Sequence, residues 1–491
     1  MSSPSSTSSH SRSVRRRILR YLRRSTVSGP LSTPLALITG RNLATTSSRL
    51  SAPTSQESPY SRETSSFSVN SSSSNSSGRI DEGFHQTQQQ KLSSAILSEE
   101  CVCTAAGSVD FLSKLPIEIA DIILSHCDAS TLLTISLVCK TWRTLSLDNL
   151  LWRRLYMSHP HWVVKPSRLS PSEETKTTTT TNMIDYRSLY QRRTQLEQRW
   201  KAENKQDKIV LGHADSIYCV QFDSEKLVTG SRDRTIKCWD MQGRCLRTLT
   251  GHYASVLCLQ YDDTLMVSGS SDHTVIMWNM QTYEIVRRLR GHASGVLDVG
   301  FDDRIIASCS KDATIRIWKR QDGSPLRTLS GHRGPVNAIQ FCGSRLVSAS
   351  GDAVIKLWDL ETGQCIRDFV GHSRGLACIR FDGRRIVSGS NDNKIKVWDA
   401  ETGECTLTCT GHTGLVRALH FDQTKIVSGS YDQSIRVWDI NTGTCLHHFD
   451  GCHSSWVFDV MFDETKIVST SQDQKILIMD FAHGLDTTNI I

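Results

Sequence analysis

From about residue 208 onward, apolar and polar residues alternate in short runs separated by Gly, Ser, Asn and Asp. That is the period of half-buried β-strands joined by tight turns. Earlier in the chain the period changes. Over 112–156, Ile119, Ile122, Ile123 and His126 fall at helical spacing, and Leu132, Leu133, Leu137, Val138, Trp142 and Leu145 continue an apolar face. Pro116 suits the first turn of a helix, where a missing N–H costs nothing. Asp128-Ala-Ser-Thr131 can cap the helix that follows. A further helical stretch is predicted over 183–204, carrying Ile184, Tyr186, Leu189, Tyr190, Leu196 and Trp200. Between the two lies a polar connector that includes Thr177–Thr181. Residues 1–108 show neither period. They are Ser/Thr-rich, with a polyserine stretch at Ser71–Ser74, and bury too little apolar surface to offset the entropy of ordering, so a disordered tail is expected.

The strand-rich region is an internal repeat, and the repeat decides the fold. Each unit opens on a histidine: His213, His252, His292, His332, His372, His412 and His453, spaced 39 to 41 residues apart. Twenty residues after each comes an aspartate: Asp233, Asp272, Asp312, Asp352, Asp392, Asp432 and Asp473. Six residues further stand Trp239, Trp278, Trp318, Trp358, Trp398 and Trp438, with Met479 in the seventh unit. A serine or threonine sits four residues before each aspartate.

The period and the Trp-Asp pairs resemble WD repeats. The resemblance implies a mainly β fold: a seven-bladed WD-repeat β-propeller, one four-stranded blade per unit. Lys208–Leu211 is expected to complete the seventh blade and close the ring. A triad of Ser, His and Asp would need one exposed nucleophile. Seven copies in strict register point instead to scaffolding. In WD repeats the matching residues form a buried chain of hydrogen bonds from Trp through Ser or Thr and His to the turn Asp. Met479 shortens the seventh network, Asn279 and Lys319 replace the Asp after Trp, and Gly451-Cys452-His453 carries one extra residue. No catalytic residue is expected.

The helical block reads Leu115-Pro116-x-Glu118-Ile119, then Ile123-Leu124, Val138-Cys139-Lys140-x-Trp142-Arg143 and Leu151-Trp152. It closely resembles an F-box, a small all-α unit that docks on a Skp-type adaptor and through it on cullin and RING subunits. The resemblance places Leu115, Pro116, Ile119, Ile123, Leu124, Leu132, Leu133, Val138, Cys139 and Trp142 at, or supporting, the adaptor interface. Some of them also serve as the block's own core, because so small a unit cannot bury all its apolar residues internally. The layout as a whole resembles F-box/WD-repeat substrate receptors. It implies a tail at 1–108, a three-helix F-box over 109–158, a connector and helical stalk over 159–207, a propeller over 208–485 and a short tail over 486–491. The stalk would hold the propeller at a fixed distance from the adaptor; the alternative is a helix lying flat on the propeller.

Two positions per unit should point to one face around the central channel: the residue before each turn Asp, and the residue five after each His. Arg232, Lys311 and Tyr431 occupy the first kind of position, and Tyr218, Arg417 and Phe458 the second, with Trp456 adding aromatic surface. Members of the family that read phosphorylated degrons use arginines there, since a guanidinium fork matches phosphate geometry. Two readings of function follow. One is the substrate-recognition subunit of an SCF-type ubiquitin ligase, binding a protein substrate, phosphorylated or not. The other is a scaffold of the same layout without a ligase role.

Charge narrows the partners. The chain has 57 basic and 50 acidic residues, but 12 and 6 of them fall in residues 1–108, so the rest is nearly neutral. That argues against a broad nucleic-acid face. No uncharged apolar run is long enough to span a membrane. Of the sixteen cysteines several recur at equivalent repeat positions (Cys219, Cys258, Cys378; Cys365, Cys405, Cys445), as buried small hydrophobes would, and none forms paired CxxC ligands, so neither metal nor cofactor is expected and a reducing compartment is favoured. Residues 1–56 hold nine arginines and no acid. Nuclear import, a mitochondrial transit peptide and a solvated basic tail all fit this composition, and an adaptor in cytosol or nucleus favours cytoplasm or nucleus.

Overall fold

The computed structural model describes residues 110–165 and 184–490; the expected disordered tail and the Thr-rich insertion lie outside them. Twenty-eight strands form seven four-stranded antiparallel sheets. Six sheets are each built from four consecutive strands. The seventh is not: Gln206–Val210 pairs with Ile476–Asp480, which pairs with Lys466–Ser471 and then Val457–Phe462. The register runs from Gln206 opposite Asp480 to Val210 opposite Ile476. The strand expected at 208–211 therefore begins two residues earlier and closes the ring. No long sheet edge is left inside the wheel to recruit another chain.

The blades repeat in detail. In the first, register slips by one residue between Ile217 and Cys219 on the inner strand and between Cys238 and Trp239 on the third. At the second irregularity the outer strand carries the extra residue, Leu246, and the adjoining Trp239 indole is almost completely buried. The inner and second strands are mostly buried, whereas the outer strand Cys245–Thr250 buries only Leu249. This gradient follows from the wheel itself, whose hub is crowded and whose rim faces water.

Among the described residues the helical block holds four short helices, not the expected three: α1 (Ile117–Leu124), α2 (Ala129–Ile135), α3 (Lys140–Ser146) and α4 (Asn149–Met157). Pro116 stands just before α1 rather than inside its first turn. Asp128 caps α2, accepting from the Thr131 N–H at 3.0 Å. Asp148 accepts from the Leu150 N–H and so starts α4 afresh, which accounts for the additional helix. The core of the block is small: Leu112, Ala120, Leu124, Leu132, Leu151 and Trp152.

Helix α5 (Tyr186–Lys201) is capped by Asp185 and buries Leu189, Arg193, Leu196 and Trp200, one stripe at helical spacing. It does not stand free as a stalk. Its first turn holds the helical block: Asn149 bridges the Ile184 carbonyl and the Tyr186 N–H, and Tyr190 meets Trp152 edge-on. Its last turns lie on the seventh blade. Trp200 stacks on Phe481 at 3.8 Å and donates its indole N–H to the Glu464 carbonyl at 2.8 Å, and Arg193 pairs with Glu464. The flat-lying alternative is thus the one observed, because the apolar stripe runs on to Trp200 and needs a cover. Nor is the connector wholly polar: Trp162 is buried between Tyr156 and Tyr190. The C-terminal segment is docked as well, with Ile490 buried and the Asn489 carbonyl accepting from the Lys165 N–H.

Candidate functional site

The repeated polar residues are joined as the repeat implies. In every blade His Nδ1 lies 2.7–3.2 Å from the turn Asp carboxylate, and His Nε2 lies 2.7–2.9 Å from the Ser or Thr hydroxyl. In six blades the Trp indole N–H donates to that hydroxyl at 2.8–2.9 Å. A carboxylate only accepts, so the proton sits on Nδ1 and the hydroxyl donates to Nε2. Each hydroxyl is then saturated and fully buried, and none is a nucleophile in waiting. Met479 has no N–H to give, and the seventh chain is one bond shorter. The turn Asp also accepts from the backbone N–H after each His, as at Ala214 and Arg333. These contacts hold its carboxyl below the ordinary range, down to about 2 at Asp312, where Thr314 and His292 donate against the opposing effect of burial.

These turns lie on one face of the wheel, and of the two kinds of predicted position the one five residues after each His lines its channel. Tyr218, Leu257, Leu297, Asn337, Ala377, Arg417 and Phe458 all line the central channel, whose volume is about 1220 Å³. Arg417 reaches only the Ala377 carbonyl, at 3.4 Å, and pairs with no carboxylate among the described residues. Arg232 lies 3.7 Å from Asp215, with both side chains largely solvated. Tyr218, whose phenol is pushed up by burial, feels the charges of both arginines and lies near Tyr431. Tyr431 stacks on Trp456 at 4.6 Å, and Phe458 touches both Tyr431 and Tyr218. Lys311 is exposed on its turn, three blades away from Tyr431 when counted through Gly351 and Asn391. Two exposed cations on the same face, Arg234 and Arg333, were not among the expected residues; repeat register locates them, one after the turn Asp and one after the Gly-His pair.

Deeper in the channel stand charged groups that no motif announces. Burial pushes Asp298 up to about 6 and raises Asp459, although Arg380 opposes both. Each carboxylate staples its blade to the next. Asp298 accepts from the Ile339 N–H and Asp459 from the Val220 N–H, both at 2.9 Å, the latter across the seam between last and first blades.

On the helical block the ten expected residues divide. Leu124 and Leu132 are fully buried and belong to its own core. Leu115, Ile123, Leu133, Cys139 and Trp142 are half-buried, with Ile123, Leu133 and Trp142 packed against that core. Trp142 is also held by Asp110, which accepts its indole N–H at 2.6 Å. Pro116, Ile119 and Val138 are exposed. Around them the structure adds Ile117, Ile122 and, 83% exposed, Leu137. Ile122 follows Ile119 by one helical turn, and that spacing alone could have signalled it. So many bare aliphatic side chains on a unit this small form an uncovered apolar surface of the kind that marks interaction sites.

A propeller of WD type, joined through a packed helix to a block with an uncovered apolar surface, is the class of protein these features define. Comparison with known families agrees. The F-box-like family model matches residues 112–158. The model described as WD domain, G-beta repeat matches six segments: 204–240, 243–279, 283–319, 323–359, 363–399 and 403–439. The unit left unmatched is the one that carries Met479. Among curated relatives, F-box/WD repeat-containing protein 7 of Drosophila melanogaster is 34% identical over 28% of this chain and 11% of its own length. F-box and WD repeat domain-containing 11-A of Danio rerio is 38% identical over 28% of each chain. The probable E3 ubiquitin ligase complex SCF subunit sconB of Arthroderma benhamiae is 29% identical over 28% of this chain and 25% of its own. The chain thus spans between about a tenth and three tenths of the length of these relatives. It belongs to the F-box/WD-repeat proteins.

Proposed function

We propose that the chain is the substrate receptor of an SCF-type ubiquitin ligase and makes and breaks no bond itself. The observation that carries this reading is the pairing of two unlike surfaces on one packed body. Ile117, Ile119, Ile122, Leu137 and Val138 present an apolar surface suited to a Skp-type adaptor and, through it, to cullin and RING subunits. Arg232, Arg417, Tyr218, Tyr431 and Phe458 present a basic and aromatic face suited to an acidic or phosphorylated protein segment. Catalysis is then by proximity: a bound substrate's lysines are held near the conjugating enzyme, so that a bimolecular encounter becomes effectively intramolecular. A location in cytoplasm or nucleus belongs to the same proposal, since the adaptor must be met there.

Co-purification tests it. The full chain should bring down adaptor, cullin and RING subunits in a complex that transfers ubiquitin to a bound protein. Ile119→Arg with Leu137→Arg should abolish adaptor capture without lowering the unfolding temperature of the propeller, because both side chains are already in water. Retained capture would refute the interface. Adaptor without cullin would instead favour a scaffold.

A further inference from the structure

The seven blades act as internal controls for one another. In each, the residue before the turn Asp donates its N–H to the carbonyl of a fixed partner: Arg232 to Ser216, Ser271 to Ser255, Lys311 to Gly295, Gly351 to Pro335, Asn391 to Gly375, Tyr431 to Leu415 and Gln472 to Trp456. The bond is the same throughout, so these are equivalent slots. The partner slot is filled by Ser, Ser, Gly, Pro and Gly in the first five blades and by Leu in the sixth. The scaffold therefore needs nothing large there. The seventh blade places a tryptophan in it, 44% exposed, and the sixth places Tyr431 in the neighbouring slot. The two rings stack at 4.6 Å with only 6° between their planes. Phe458 supports Tyr431 edge-on at 6.0 Å and meets Tyr218 at 4.8 Å. The blade that lacks its buried tryptophan thus carries an extra one at the surface.

A flat, partly exposed aromatic pair gives an apolar side chain a large contact at little entropic cost. Its surroundings select the charge of what comes with that side chain. Arg417 and Arg232 bracket Tyr218 at the edge of the shelf, and Arg417 has no carboxylate partner among the described residues. Such a field repels a lysine or a methylated ammonium, which an aromatic site would otherwise attract. We infer that Tyr431 and Trp456 form a specificity shelf for an aromatic or large aliphatic residue of the bound protein, a few positions from a carboxylate or phosphate held by Arg417 and Arg232. The inference rests on the receptor reading above and adds to it a side-chain requirement beyond charge.

The test is selection from a degenerate peptide library carrying one fixed glutamate, or one fixed phosphoserine in a second arm, on the immobilised full chain. The wild type should enrich Phe, Tyr, Trp, Leu or Ile at one fixed offset from the acidic residue. Trp456→Ser installs the residue that the first two blades carry in that slot, so it should fold. It should lose the offset preference, keep the acidic preference and weaken the best selected peptide by roughly tenfold or more, as for an interface anchor. Arg417→Ala should do the reverse. An unchanged profile for Trp456→Ser, or enrichment of lysine at the offset, overturns the shelf while leaving the receptor reading intact. Selection of no peptide by wild-type protein that still captures adaptor overturns the shelf together with the peptide-binding face.

Discussion

The seventh blade offers a differential test of what the buried hydrogen-bond chains contribute. In the second blade Ser268 Oγ serves two partners, accepting from the Trp278 indole N–H at 2.8 Å and donating to His252 Nε2 at 2.8 Å. In the seventh, Ser469 Oγ serves only His453 Nε2, also at 2.8 Å, because Met479 stands where the indole would be. Both serines are fully buried. Ser268→Ala should leave two buried polar groups without partners, and Ser469→Ala one. At about 1–3 kcal/mol for each orphaned group, the second-blade variant should lose about 2–6 kcal/mol and the seventh-blade variant about 1–3 kcal/mol. Ser308→Ala, whose hydroxyl serves Trp318 and His292 in the same way, should match Ser268→Ala. Urea unfolding of the full chain gives the comparison, provided that the slopes agree. Equal losses for Ser268→Ala and Ser469→Ala would show that the indole N–H adds nothing, and the account of the network would fail.

The residue after each turn Asp has a positive φ without being glycine, 67° at Ala353 for example; Ala353→Gly should raise stability by about 0.5–1 kcal/mol in the same unfolding assay, and a loss would place the strain elsewhere. Trp200→Ala should cost about 3–5 kcal/mol at the joint, and limited proteolysis should then release the helices from an intact wheel; an unaltered digestion pattern would contradict that joint. Stability should fall as pH drops below about 6.5. Burial lowers His292, His332, His372, His412 and His420, the last to about 4, so the unfolded chain takes up protons that the fold refuses. His420 alone accounts for about 3 kcal/mol lost by pH 4. Asp298 and Asp459 have the opposite sign, since a raised carboxyl destabilises the fold as pH rises through its folded value, but they are two against five. Below about 3.8 the loss should steepen as the turn carboxylates, Asp312 with its value near 2 among them, are protonated. Chemical denaturation from pH 7.5 to 4 measures the first part, and a flat profile would contradict it.

The wheel was legible because its constraint is local and repeated. His, Asp and Trp recur at fixed offsets, and one blade's geometry answers for all. Ring closure by a strand before the first histidine was legible too, from the phase of the repeat. The exposed face of the helical block was only half legible. Leu124 and Leu132 share the motif with Ile119 and Val138, but whether a motif residue points in or out depends on a core that the spacing does not reveal. The fate of α5 was legible only as one of two alternatives. Its stripe of Leu189, Leu196 and Trp200 demands a cover, but Phe481 and Glu464 lie hundreds of residues away and belong to no pattern shared with it. Asp298 and Asp459 escaped for a related reason: only two blades carry them, each bonded to the neighbouring blade.

Closing the wheel with its own first strand also sets an order of events at the ribosome. Gln206–Val210 is translated early and must wait, its edge unsatisfied, until Ile476–Asp480 arrives. Pairing so distant in sequence is slow and comes late. A message broken after Val210 but before that last hairpin yields a polypeptide with the helical block, an open ring and a bare strand, the kind of product that aggregates or is cleared rather than one that competes with the full-length chain.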